Sequence, residues 1–242
     1  MEVYEAYLFD LYGTLVDIHT DEDQPSHWAR MAGLLARHGA AYRPRELRAA
    51  YLRAVGEAEA QLRERHRGVL GACPEIDIAP VFRRLYAEKG VAADAELVAD
   101  TALAFRRSSL THLRLYAGAA ELLRALRDRG QVLLASNAQS LFTRPELEEL
   151  GIAGLFDTIW ISSEQGVKKP DPRFYRSLLA ARRLRPERCL MIGNDPICDG
   201  EGARAAGLDA WVIRSGLSPR ELTAGYDQQG MDLKRLRRML CG

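Results

Sequence analysis

Asp10 ends an apolar run, Tyr7-Leu8-Phe9, and Leu11, Tyr12, Gly13 and Thr14 follow at once. A carboxylate placed there can attack as a nucleophile and form a covalent intermediate. Other reactive side chains also follow apolar runs. Ser136 and Asn137 close QVLLASN, Lys169 lies in the loop after FDTIWIS, and Asn194, Asp195 and Asp199 follow CLMIG. An ammonium can neutralise both a carboxylate and the charge that develops on a substrate. The Ser136 hydroxyl and the backbone amides after Asp10 can donate hydrogen bonds to substrate oxygens. An acidic cluster beside a carboxylate is costly without a cation. The set therefore predicts Mg²⁺ and a small anionic substrate.

Taken singly, each group has an ordinary explanation. Asp10 suits a turn, Ser136 and Asn137 suit a helix start near Leu141 or Pro145, and Asp199 suits a cap before Gly200. Lys168 and Lys169 suit a solvated loop. The elements around them change that weighting. Residues 3–9 read as a buried strand. From Ser26 to Leu113 apolar residues recur at three- and four-residue spacing, as in HWARMAGLLARHGA and AELVADTALAFRRSSLTHL, with no strand pattern between. Short apolar strands then alternate with helices. The strands are 131–137, 156–162, 189–195 and 209–215; the helices are 117–130, PELEELGI from its proline, DPRFYRSLLAARRL and 200–208. The basic stretch KRLRRMLCG reads as a terminal helix. This rhythm predicts an α/β fold, a doubly wound parallel sheet split by a helical insertion. The expected division is a core of 1–20 and 114–242 and an insertion of 21–113. Ligands of such sheets bind beyond the carboxyl ends of the strands, where all the candidates fall.

Lys and Arg number 34 against 33 Asp and Glu, so charge gives no case for nucleic acid or an anionic membrane surface. No run of about 20 apolar residues occurs, which argues against a membrane span. Cys73, Cys189, Cys198 and Cys241 form no CxxC or Cys/His cluster and read as reduced thiols of a cytoplasmic protein without zinc.

LFDLYGTLVD, ASN, KKPDPRFY and MIGNDPICDGEGARAAG resemble, in order, the four motifs of the haloacid dehalogenase superfamily of hydrolases. The resemblance implies a Rossmann-like core with a type-one helical cap where the insertion stands. It implies Asp10 as nucleophile, Thr14 as its orienting partner, Ser136 as the second-motif hydroxyl, and Lys169 rather than Lys168 as the third-motif lysine. Asn137, Tyr12 and Tyr175 are implied to border the substrate. Asp10, the Tyr12 carbonyl, Asn194, Asp195 and Asp199 are implied to hold Mg²⁺, with Asn194 where phosphatases usually carry Asp.

Tyr12 divides the readings. Phosphatases of this family usually place an acid/base Asp there, whereas Tyr is typical of the 2-haloacid dehalogenases. A phenol, with an ordinary pKa of about 10, is a poor base near neutral pH. The Gly193-Asn194-Asp195 loop argues for a phosphatase instead. A Mg²⁺-dependent phosphatase on a small phosphorylated metabolite is the leading expectation. A metal-independent dehalogenase and a catalytically weak binding protein are the alternatives. Candidate substrate contacts in the insertion are His27, Trp28, Arg30, His66 and Arg67, although each suits a helix surface or core better.

Overall fold

The structure is a computed structural model that describes residues 4–242, so residue 3 of the first expected strand lies outside it. Strand β1 (Ala6–Phe9) is central in a parallel sheet. β4 (Gln131–Ser136) and β5 (Thr158–Ile161) lie on one side, and β6 (Cys189–Gly193), β7 (Asp209–Arg214) and the short β8 (Gln228–Gln229) on the other. Phe9 is in register with both Leu134 and Ile192. The residues that follow these strands therefore meet at one edge.

Both faces of β1 are covered, which explains its unbroken apolar run. Tyr7 and Phe9 pack with Leu122 and Leu126 of α5 (Ala119–Arg127) and Leu233 and Leu236 of α10 (Leu233–Cys241). Ala6 and Leu8 pack with Phe174 and Leu178 of α8 (Pro172–Arg182) and Ala203 of α9 (Gly202–Ala205). This is the doubly wound arrangement expected from the strand–helix alternation.

The insertion holds α1 (Pro25–Arg37), α2 (Pro44–Arg65), α3 (Ala79–Ala87) and α4 (Ala95–Ser109), with an apolar cluster of its own. Phe105 is central there. Its ring lies 4.9 Å from that of Tyr51, 5.4 Å from Phe82 and 5.7 Å from Trp28. Among the described residues no helix is long and apolar enough to cross a membrane.

Three local expectations are corrected. The helix ending AFRRSSLTHL stops at Ser109, and Leu110–Leu115 is a strand, β3, antiparallel to β2 (Val16–Thr20). Its period-two alternation was hidden beside helical periodicity, and its partner lies some 95 residues away, Asp17 opposite Arg114. The insertion thus leaves and returns through a two-stranded ladder. The helix expected to begin at Pro145 is α6 (Ser140–Glu149), with that proline inside it. The helix expected over 200–208 begins as a π-helical turn, Pro196–Glu201.

Phe105→Ala is expected to destabilise the protein by about 3–5 kcal/mol through the cavity it leaves. Urea unfolding followed by circular dichroism measures it.

Candidate active site

Asp10 leaves β1 with its N–H bonded to the Ile192 carbonyl at 2.9 Å, which ties it to β6. The chain then reverses through Gly13, whose φ of 88° suits glycine. A Cβ there would also collide with the Asn194 side chain. Lys169 comes from the loop between α7 (Ser162–Gln165) and α8. Asn137 fixes that loop from the end of β4: its amide donates to the Lys169 carbonyl at 2.9 Å and accepts the Lys169 N–H at 2.8 Å. Asp199 projects from the π-helical turn. A side chain at Gly193 would strike its carboxylate, so glycine there permits the approach.

These constraints bring three charges together. The Lys169 ammonium, 2% exposed, donates at 2.7 Å to Asp10 Oδ1 and at 2.7 Å to Asp199 Oδ1. Asp199 Oδ2 accepts the N–H groups of Asn194 and Asp195 at 2.9 and 3.0 Å. Burial raises the Asp10 carboxyl to about 6, against the pull of Lys169. Burial alone would lower the Lys169 ammonium, but Asp10 and Asp199 outweigh it and hold it above its ordinary value.

Asp10, Tyr12, Asn137, Lys169, Asn194, Asp195 and Asp199 line one cavity of about 240 Å³, with Cys198, Leu217 and Pro219. The last three had no sequence signal, because their types are unremarkable and no spacing marks them. Burial pushes the Cys198 thiol up to about 12, so it stays protonated. Asp195 caps the π-helical turn: its Oδ1 accepts from the N–H groups of Ile197 and Cys198 at 2.8 and 2.9 Å. Ser136 lies buried at the end of β4, beneath the cavity rather than among its lining residues, and among the described residues its hydroxyl has no hydrogen-bond partner. Tyr175 does not line the cavity. It is wholly buried and donates to the Cys198 carbonyl at 2.7 Å, bracing the π-helical turn.

Tyr12 faces Asp10's cavity, but its hydroxyl is engaged elsewhere. It donates to Glu146 Oε2 and lies 3.1 Å from Thr143 Oγ1, both on α6. Glu146 in turn accepts from Arg106 Nε of α4 at 2.6 Å, and the Arg106 guanidinium lies 5.5 Å from the Tyr12 ring centre. Burial, reinforced by Glu146, pushes the Tyr12 phenol above its ordinary value. It is a neutral group tied to the insertion. Sequence reasoning missed Arg106 and Glu146, since a helical Arg and Glu 40 positions apart carry no pairing signal.

The other insertion candidates lie elsewhere. His27 is buried against Phe105 and bonded through Nδ1 to Ser108 Oγ at 2.6 Å, and Trp28 is buried in the same cluster. Arg30 donates to the Ser108 carbonyl, His66 bonds to the Leu62 carbonyl, and Arg67 pairs with Glu64. A different part of the insertion reaches the loops beside the site. The Cys73 carbonyl accepts the Lys168 N–H at 2.8 Å, the Glu75 N–H donates to the Gly166 carbonyl at 3.1 Å, and the Gln139 side chain donates to the Ile76 carbonyl and accepts the Ile78 N–H at 2.9 Å each. Lys168 itself is half-exposed, 3.6 Å from Glu75.

Among the described residues no three His, Cys, Asp or Glu side chains are grouped to hold a metal ion. A mixed set of carboxylate, carbonyl and amide groups does converge. One terminal atom of the Asn194 amide lies 3.3 Å from Asp10 Oδ2, 3.2 Å from the Tyr12 carbonyl and 3.1 Å from Thr14 Oγ1. With Mg–O bonds of about 2.0–2.1 Å, adjacent octahedral oxygens stand about 3 Å apart. The donor types and spacing of Asp10, Tyr12 and Asn194 fit Mg²⁺.

A haloacid dehalogenase-like hydrolase family profile matches residues 4–207. The phosphoserine phosphatase of Thermus thermophilus is 36% identical over 64% of this chain and 62% of its own length. The human N-acylneuraminate-9-phosphatase is 27% identical over 54% of each. The chain thus spans less than two thirds of these relatives' lengths. Among solved structures, a 2-haloacid dehalogenase from Pseudomonas syringae superposes with a TM-score of 0.64 at 18% identity, covering 98% of both chains. A HAD-hydrolase, YfnB, from Bacillus subtilis, bound to magnesium, superposes with a TM-score of 0.55 at 21% identity over 99% of both. At these identities the superpositions concern the fold.

Lys169→Ala is expected to cost at least about a hundredfold in turnover, because it removes the ammonium that donates to Asp10. Lys168→Ala is expected to stay within about twofold, since an exposed ion pair contributes little. Steady-state kinetics on both variants checks the contrast.

Proposed function

Because this chain belongs to the haloacid dehalogenase-like hydrolases, we propose that it is a Mg²⁺-dependent phosphatase acting on a small phosphorylated metabolite. The observation that carries this reading is the buried Asp10–Lys169–Asp199 group beside the point where Asp10, the Tyr12 carbonyl and the Asn194 amide converge. The phosphatase relatives, matched over part of their lengths, support it.

In this reading an Asp10 oxygen attacks phosphorus, the bond to the leaving oxygen breaks, and an aspartyl phosphate forms. Water then attacks phosphorus, releasing phosphate and restoring Asp10. Lys169 keeps Asp10 charged and oriented, and balances charge that builds on the phosphoryl group. The Ser136 hydroxyl, without a partner among the described residues, serves a phosphoryl oxygen. Thr14, 3.3 Å from Asp10 Oδ2, orients the nucleophile. Asp10, the Tyr12 carbonyl and Asn194 would hold Mg²⁺, which supplies charge neutralisation when bound. Asp199, whose Oδ1 accepts from Lys169 and whose Oδ2 accepts two loop amides, holds the lysine and the fourth-motif loop in place. Asp195 keeps one oxygen free of the cap. The helical insertion acts as the cap that limits substrate size. We assign the enzyme to the cytoplasm, in keeping with its unpaired thiols.

Tyr12 favours a second reading, a metal-independent 2-haloacid dehalogenase. Its hydroxyl is committed to Glu146, so no acid/base stands where an alkoxide leaving group would need one. A halide leaves as a stable anion and needs none. Paired assays separate the readings: phosphate release with Mg²⁺ or chelator, and halide release from 2-chloropropionate without metal. Halide release alone would displace the phosphatase.

Asp10→Asn is expected to abolish turnover while the far-ultraviolet circular dichroism is unchanged, because an amide cannot serve as this nucleophile. The wild type should also hydrolyse aryl phosphates, whose leaving groups need little protonation, far better than alkyl phosphates. Tyr12→Asp should raise alkyl phosphate turnover by about 10²-fold, the low end for a positioned acid/base. Comparing the two substrate types in both proteins measures this. An unchanged alkyl rate would show that leaving-group protonation is not the limitation.

A further inference from the structure

We infer that the Asn194 carboxamide is the internal occupant of the cation position: without metal its NH₂ end points inward between Asp10 and Tyr12, and a cation enters only by turning the amide over. The proposal rests on the magnesium reading of the same site but concerns a property that an aspartate there could not have.

The two ends of a carboxamide have nearly the same shape and opposite hydrogen-bonding character. With the oxygen inward, its neighbours are Asp10 Oδ2 at 3.3 Å, the Tyr12 carbonyl at 3.2 Å and Thr14 Oγ1 at 3.1 Å. Only the threonine hydroxyl among them carries a proton, and that hydroxyl also lies 3.3 Å from Asp10 Oδ2. One proton cannot satisfy both, so buried oxygens are left facing one another. With nitrogen inward, the two amide protons are offered to these three acceptors, the Thr14 proton is left for Asp10 Oδ2, and the amide oxygen faces donors on the other side. Buried polar groups left unpaired are costly, so the cation-free site takes the second orientation. A bound cation reverses the preference, because it needs oxygens around it.

The surroundings permit this turn and little else. The Asn194 backbone is held at both ends: its N–H donates to Asp199 Oδ2 at 2.9 Å, and its carbonyl accepts from Ser218 Oγ at 2.8 Å. The outer end of the amide rests against Gly13, where any side chain would collide with it. Rotation about the terminal torsion exchanges the two ends within one volume, with no repacking. An aspartate at 194 would instead bring a second carboxylate to Asp10 with no proton to share. The amide therefore keeps Asp10 and the first loop ordered without metal, and competes with the metal for its place.

Nuclear magnetic resonance on the full chain tests this. The Asn194 NH₂ signals are identified by their loss in Asn194→Asp. In magnesium-free protein they should exchange with solvent at least about tenfold more slowly than those of exposed amides, as expected for buried hydrogen bonds that open locally. Addition of MgCl₂ should shift them and abolish the slowing over the range in which calorimetry records binding. Fast exchange in the magnesium-free protein would overturn the proposal. So would signals that stay protected after calorimetry shows the site filled. Protected signals with no calorimetric binding would remove magnesium from the site and leave the amide as its standing occupant, so the two readings fail on different measurements.

Discussion

The Lys169 ammonium, held between two carboxylates and nearly removed from water, is the constraint on which the remaining architecture turns. Taking ions out of water costs several kcal/mol each, and only close, well-satisfied geometry offsets it. Asp10 comes from β1, Asp199 from the turn after β6, and Lys169 from the loop beyond β5. Parallel pairing in register brings these ends to one edge. The residues around them complete the satisfaction: Asn137 locks the lysine loop, loop amides cover Asp199, and glycines at 13 and 193 clear the approach. What looks like a run of separate motifs is one electrostatic requirement met by several segments.

The same economy extends to the insertion. Tyr12, two residues from the nucleophile, is joined through Glu146 to Arg106 on α4. The 73–78 segment bonds to the chain that carries Lys168 and Lys169. The β2–β3 ladder supplies a third connection, beginning two residues after Thr14. Insertion and core are thus linked by an ion pair, by backbone bonds and by a strand pair. A change in the insertion's seating would be felt at Asp10 through Tyr12.

Tyr12 and Asn194 are the two departures from a usual phosphatase pattern, and the structure gives both a common logic. Each replaces an acid near Asp10 with a neutral group that has its own partners. The site carries fewer uncompensated negative charges in consequence, and its order rests less on a cation.

Much of this was legible in the sequence because it rests on local patterns. Apolar runs of four to six residues, each closed by a polar residue, marked the sheet and its functional edge. Three- and four-residue periodicity marked the helices of the insertion, and the order of motifs carried the family. The resemblance to the family's third motif also separated Lys169 from Lys168, since only the former directly precedes Pro170. The local pattern could not reveal the β2–β3 ladder, whose strands are distant in the chain, nor the π-helical turn, in which Asp199 approaches Gly193 too closely for any side chain there. It could not distinguish a tyrosine beside the cavity from a cavity residue, so Tyr175 was misplaced. The partners of Tyr12, the amide contacts of Asn194 and the pairing of Arg106 with Glu146 were decided only by the tertiary structure. Side-chain identity says what a group can bond, but a buried group bonds whatever the fold brings within about 3 Å of it.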